Sequence, residues 1–147
     1  EDTEVIGIDE VQFFDDKIID LILDQVYNDG RLVMLTFLNT DFRGEEFRLR
    51  KRDNLKKISE KSVAQLIVRA NSIETLESVC RFLSGGKRWG KQAHYTQRLF
   101  PNGEPVPYSD QLIMVGGKET IDERRYEARC MDHHFVPGRP KMRYSLD

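Results

Sequence analysis

Two short apolar runs, Val5–Ile8 and Leu32–Leu38, flank a stretch of helical periodicity, and this order restricts the chain to an α/β architecture. The first run is rich in β-branched residues and stops abruptly at two carboxylates, Asp9 and Glu10. The second is apolar throughout rather than alternating, the pattern of a strand buried in a parallel sheet. A right-handed crossover makes the two strands parallel. Both then end on one sheet edge, where open α/β sheets collect ligands. An Asp at such a tip can hold the magnesium that neutralises a nucleotide's phosphates, and a neighbouring Glu can take a proton from an attacking hydroxyl. Gln12, Phe13 and Phe14 add a polar hand and aromatic surface. A strand ending in a solvated acidic loop is the competing reading of the same residues.

The crossover helix is expected over Asp15–Asp29. Asp15 or Asp16 can cap it, Ile18, Ile19, Ile22, Leu23 and Val26 share a face, and Gly30 ends it as a C-terminal cap. A length of 147 residues suits one ordinary domain, and a net charge of −2 gives no bulk affinity for polyanions. No apolar run approaches membrane-spanning length, and the acidic N-terminus has no leader pattern. Two cysteines make no disulfide framework, which suits a reducing cytoplasm. The chain enters its first strand with no preceding element, so it is expected to begin partway through a larger domain.

Arg48–Lys61 is basic with few apolar anchors. It reads as a solvated insertion or mobile loop rather than a nucleic-acid stripe, because acids (Asp53, Glu60) are mixed in and aromatics are lacking. Helical spacing returns over Ser62–Asn71, and Ser72–Phe82 fits a short helix or a strand. Gly85–Lys91 matches G-x-x-x-x-G-K, but Gln92 stands where a magnesium-binding Ser or Thr belongs, so a hairpin tip carrying a lone Trp89 is expected instead. His94–Phe100 reads as a strand, Pro101–Gly103 as a turn, and Leu112–Val115 as a further strand running into Gly116–Gly117. Cys130 and His133 are spaced C-x-x-H, half of a zinc knuckle. Cys80 is a third candidate ligand, provided that the two hairpin bases meet.

Five segments in order carry a resemblance: Val5–Phe14, Asp41–Phe47, Tyr95–Leu99, Val115–Gly117 and Tyr126–Cys130, with Ser72–Cys80 a weaker match in register. Together they resemble the thymidine kinases of the bacterial and human-cytosolic type. The resemblance implies a parallel-sheet α/β nucleotide-kinase core over 1–79, truncated at its N-terminus. It also implies a small zinc-associated β lasso subdomain with a tail over 80–147. It implies Glu10 as the base that deprotonates the 5′-hydroxyl of thymidine, with Asp9 and Gln12 on the magnesium and ATP side. Phe13, Leu38 and Phe42 correspond to apolar walls of the thymine pocket, although plain core packing suits Leu38 nearly as well. Tyr126 corresponds to the aromatic that covers the base. Leu112, Ile113, Met114, Val115 and Gly116 correspond to the lasso that hydrogen-bonds the base edge, and Thr96 and Arg98, more loosely, to pocket and phosphate-proximal positions. Cys80, Cys130 and His133 correspond to zinc ligands, and a cytoplasmic homotetramer serving deoxynucleoside salvage for DNA synthesis is implied.

There are departures from the family pattern. The N-terminal phosphate loop has no counterpart here, so the chain by itself is expected to be nearly inactive; a non-catalytic nucleoside-binding or structural remnant is the alternative. Asn39 stands where the family commonly has Asp, and the 48–61 insertion is not a family feature. The family's second ligand of a C-x-x-C pair falls on Leu83, which cannot bind metal, so His94 or His134 is expected to supply a fourth ligand if zinc is kept.

Overall fold

Strand β1 (Val5–Ile8) runs parallel to β2 (Leu32–Leu35), with Ile8 opposite Leu35, and helix α1 (Lys17–Tyr27) connects them. The computed structural model describes residues 4–84, 86–112 and 125–141. The α1 crossover is the one expected from the isoleucine spacing: Ile18, Ile19 and Ile22 are buried, while Leu23 and Val26 are partly covered. The helix is shorter than expected at both ends. Asp15 Oδ1 accepts the Lys17 amide at 3.0 Å, the first hydrogen bond at the N-terminus. Asp16 occupies the capping position without capping, because its carboxylate is engaged elsewhere. Gly30 follows the last turn at φ +64°, a conformation that costs a glycine little.

The two parallel strands are not buried as their apolar character suggests. Their residues alternate between exposed and half-buried, with Val5, Leu32 and Met34 each more than half exposed. Among the described residues the pair forms a two-stranded sheet by itself, so one face of each strand meets no second layer.

The basic stretch after Phe47, expected as a solvated insertion or mobile loop, is exposed along most of its length but is a regular element in place of a loop. It is a hairpin of β3 (Arg48–Lys51) and β4 (Asn54–Ser62), with register shifts on either side of Arg50. Leu49 is fully buried beneath its charged neighbours, and Ser59 and Ser62 are buried with it. Asp16 ties the hairpin to the start of α1, accepting from Ser59 Oγ at 2.8 Å and from the Arg52 amide at 3.1 Å. Those donors hold its carboxyl below the usual range. Lys61 and Asp20 form an ion pair beside it. Helix α2 (Ala64–Ile67) is a single turn instead of the ten residues expected. The chain then tightens into i→i+3 bonds at Arg69 and Ala70; Val63 and Leu66 are buried, whereas Val68, Arg69 and Ala70 are exposed, so the covered face ends with the first turn.

These elements make up one compact unit, Glu1–Thr40 with Glu46–Glu74; a second consists of Asp41–Glu45 with Thr75–Asp147. The second unit is built from short antiparallel pairs. β5 (Ser78–Val79) pairs with β8 (Gln92–Ala93), β6 (Leu83–Ser84) with β7 (Lys87–Arg88), and β9 (Tyr95–Leu99) with β10 (Arg125–Arg129). The β6–β7 pair is the hairpin expected at the glycine-rich stretch, and Ser72–Phe82 is extended rather than helical. Pro101–Gly103 turns as expected, with Gly103 at φ +87°. The strand expected over Leu112–Val115 falls, apart from Leu112, outside the described residues.

Phe42, Val106 and Val136 form this unit's apolar core, flanked by Phe100, Tyr108 and Leu112. The Asp41–Glu45 turn closes on it through Asp41 Oδ1, which accepts the amides of Arg43 at 2.8 Å and Glu45 at 3.1 Å. Gly44 in that turn has φ +74°, and a Cβ there would meet His134 Cε1 at 3.2 Å and the Tyr95 ring at 3.4 Å. Among the described residues no helix is long and apolar enough to cross a membrane.

Candidate functional site

The tip of β1 is held by hydrogen bonds from the end of β2. The Thr36 amide donates to Ile8 O at 3.0 Å, and the Val11 amide donates to Thr36 O at 3.1 Å. Asp9 Oδ1 accepts from Thr36 Oγ1 and, at 2.9 Å, from the Glu10 amide. Glu10 itself takes the left-handed conformation, φ 55° and ψ 44°, and is the one non-glycine residue at positive φ among the described residues. That conformation costs a side-chain-bearing residue about 1–2 kcal/mol, and such strain concentrates at functional positions. Gln12 is fully buried and braces it. Its Nε2 donates to Glu10 Oε2, and its Oε1 accepts the Leu38 amide at 3.2 Å. An exposed carboxylate is thereby aimed by a buried amide. Phe13 is 56% exposed, with its ring edge-on to Phe47 at 6.0 Å, and Leu38 is 43% exposed. Sequence reasoning missed Thr36, for which the only signal was a hydroxyl at the end of an apolar strand.

In the second unit the residues expected to grip a base gather round one guanidinium. Arg98, on β9, is 2% exposed. Its Nη1 donates to Gln111 O at 2.6 Å and its Nη2 to Leu112 O at 2.7 Å, with Asp110 at 3.5 Å. The group lies 4.0 Å above the Phe42 ring and 5.4 Å from that of Tyr126. Desolvated cation–aromatic contacts of this kind strengthen the hold. Arg98 thus holds the chain that leads into residue 113. Tyr126 faces Arg98 across the β9–β10 ladder and lines an open recess with Arg81, Leu83, Arg125 and Glu127. Thr96 is half-buried in the same ladder, opposite Ala128. Ile113, Met114, Val115 and Gly116 lie outside the described residues.

The third group comes together because Cys80 donates its amide to Lys91 O at 2.8 Å and Arg81 donates to Ala128 O at 2.9 Å, joining the two hairpin bases. Cys80 and Cys130 are buried and unpaired. Their Sγ atoms lie 3.7 and 3.3 Å from His133 Nδ1, and the three donor atoms are all within 4.8 Å of one another. Around a tetrahedral zinc, with bonds of about 2.3 Å to sulfur and 2.0–2.1 Å to nitrogen, S···N separations come to roughly 3.6 Å. The donors therefore fit such an ion. Phe82 stacks on the His133 ring at 4.1 Å, and Trp89, which the sequence marked only as a lone aromatic, meets it edge-on at 5.1 Å. The expectation that His94 or His134 completes the set is corrected. His94 Nδ1 lies 3.3 Å from Glu77 Oε1. His134 stacks on Tyr95 with Nε2 2.9 Å from Phe42 O, and burial holds its imidazole below the ordinary range.

The thymidine kinase family profile matches residues 1–134, so this chain belongs to the thymidine kinase family. It is 39% identical over 134 residues to a thymidine kinase of Thermococcus kodakarensis, covering 91% of this chain and 55% of that protein. It is 38% identical over 138 residues to a thymidine kinase of Coprothermobacter proteolyticus, covering 94% and 57% respectively. The chain thus spans little more than half the length of the relatives it matches.

Proposed function

We propose that the protein to which this chain belongs transfers the γ-phosphoryl group of ATP to the 5′-hydroxyl of thymidine, with Glu10 as general base. The observation that carries the reading is the strained Glu10 backbone braced by buried Gln12, in a chain whose relatives are thymidine kinases. A base acts only if its carboxylate is aimed at the hydroxyl proton, and a fixed backbone with one side-chain donor supplies that aim. Asp9, one residue earlier and also exposed, serves the magnesium–ATP side of the reaction.

Thymine is flat, with donors and acceptors along its edges, and suits aromatic faces combined with backbone polar groups. Tyr126, Phe13, Phe42 and Leu38 provide the apolar contacts. Arg98 fits a positioning role better than a phosphate-binding one, because its guanidinium is buried and both of its Nη atoms donate to backbone carbonyls. Leu112 through Gly116 address the base edge, and Thr96 supports that side. Zinc held by Cys80, Cys130 and His133 ties the strands of the second unit together, and a cytoplasmic homotetramer is part of the same reading.

The test is thymidine phosphorylation by the full-length protein beside its Glu10→Gln variant. The glutamine keeps an oxygen for Gln12 but cannot take a proton, so turnover is expected to fall by about 10²–10⁴-fold with the melting temperature unchanged. Equal turnover in both would remove Glu10 from the role.

A further inference from the structure

The turn Asp41–Glu45 holds the segment 108–112, which leads into residue 113, by three separate contacts. The first, already described, is the Phe42 ring against the Arg98 guanidinium. The second is Arg43, whose Nη2 donates to Asp110 O at 2.6 Å. Its guanidinium lies 4.7 Å from the centre of the Tyr108 ring and 5.4 Å from that of Phe42. The third is Glu45, whose Oε1 accepts from the Tyr108 hydroxyl at 2.7 Å. The Tyr108 amide donates to Pro137 O at 2.8 Å, so this residue is held by ring and backbone together. Because Asp41 Oδ1 accepts the amides of both Arg43 and Glu45, the two side chains stand on a fixed turn.

Two guanidiniums therefore take three successive carbonyls, Arg43 that of Asp110 and Arg98 those of Gln111 and Leu112. Residues 108–112 follow neither a helix nor a strand, so side chains have to supply what a ladder supplies elsewhere, and charge-assisted bonds do so most firmly. We propose that Arg43 is a positioning residue for the nucleoside. It touches no substrate; by pinning Asp110 O, with Tyr108 and Glu45 holding the ring it stacks on, it presets the course of the chain into residues 113–116 and so sets the affinity for thymidine. The proposal rests on the thymidine kinase reading, in which those residues address the base edge. Preorganisation of this kind is felt in binding, because a segment that must be ordered when its ligand arrives takes that cost out of the affinity. The phosphoryl-transfer step, served by Glu10 and Asp9, is left as it was.

The experiment measures steady-state thymidine phosphorylation by the full-length protein and by its Arg43→Met, Arg43→Lys and Tyr108→Phe variants, varying thymidine and ATP in turn. Methionine keeps part of the apolar stem and removes every donor. Lysine keeps the charge and can return one bond to Asp110 O, and phenylalanine keeps the ring but gives up Glu45. Arg43→Met is expected to raise the KM for thymidine about tenfold, the factor that one lost charge-assisted hydrogen bond amounts to, with kcat and the KM for ATP unchanged. Arg43→Lys should recover part of that loss, and Tyr108→Phe should move the same KM in the same direction by less. A merely structural role would shrink the folded fraction, lowering kcat and leaving KM in place; that result overturns the proposal, as does an Arg43→Met protein with an unmoved KM. Should Arg43→Met not fold, an unmoved KM for thymidine in both other variants overturns it equally. If the unaltered full-length protein does not phosphorylate thymidine, the kinase reading falls and takes this proposal with it; turnover there with KM unmoved in the variants removes the proposal alone.

Discussion

The side-chain amide of Gln12 donates to the carboxylate of Glu10 while its oxygen accepts the backbone amide of Leu38. One buried group therefore links the β1 tip to the chain that leaves β2. Gln12→Leu keeps the volume but leaves the Leu38 amide without its side-chain acceptor and the Glu10 carboxylate without its donor. A stability loss of about 1–3 kcal/mol is expected, read from the urea midpoint. Turnover should fall further than thymidine binding weakens, because the variant spoils aim rather than affinity. A variant losing stability but keeping full turnover would show that the backbone alone directs Glu10.

Arg98→Lys tests the buried guanidinium. A single ammonium cannot reproduce the fork that reaches Gln111 O and Leu112 O together, nor its stacking over Phe42. The variant should lose about 2–4 kcal/mol and bind thymidine more weakly by calorimetry. Unchanged binding in a variant that still folds would mean that the carbonyls after Asp110 need no such hold.

His134 gives the second unit a pH dependence. Burial keeps its imidazole below the ordinary range, so the folded protein takes up this proton less readily than the unfolded chain. Its contribution is intact above the ordinary histidine value of about 6.5 and is lost as the pH falls below it, levelling off under the lowered folded value. Asp41 has the opposite sign, since burial raises its carboxyl and stability is gained as the pH falls through that raised value. In an Asp41→Asn background, which keeps an acceptor for the Arg43 and Glu45 amides, the urea midpoint should drop between pH 7 and 5. A flat profile there would contradict a buried neutral imidazole.

Asp16→Ala tests the attachment of the hairpin. The substitution removes the acceptor for Ser59 Oγ and the Arg52 amide, and a loss of about 1–2 kcal/mol is expected. Because the native carboxyl is held below its usual range, the contribution is present above about pH 3.9 and disappears as the pH falls further. Amide exchange at Arg52 and nearby β3 positions should quicken in the variant while that of α1 stays slow.

The elements legible in the sequence were those whose side chains alone decide the outcome. Ile18, Ile19 and Ile22 could only be one face of a helix, and the C-x-x-H of Cys130 and His133 needed only a local turn. The β3–β4 hairpin was illegible because its buried anchor is one leucine, Leu49, among arginines and lysines, and because its attachment comes from Asp16, far off in sequence. α2 is shorter than its apolar spacing suggests because only Val63 and Leu66 of that spacing are buried, while Ala70 is exposed and gives a second turn nothing to cover. In the candidate site, the carboxylates and the tyrosine stood out as chemistry. Gln12, Thr36 and Arg98 act through what they hold, and that depends on neighbours brought in by the fold.

Gly44 sits close against the paired rings of Tyr95 and His134, where an added Cβ would be in tight contact with both. An alanine there has to adopt a backbone it dislikes and to move the His134 ring by a few tenths of an ångström. The first bond to feel that shift is the one from His134 to Phe42 O, on the same phenylalanine whose ring carries the Arg98 guanidinium. One methyl group at this turn would therefore reach the far side of Phe42 without touching any residue that meets a ligand.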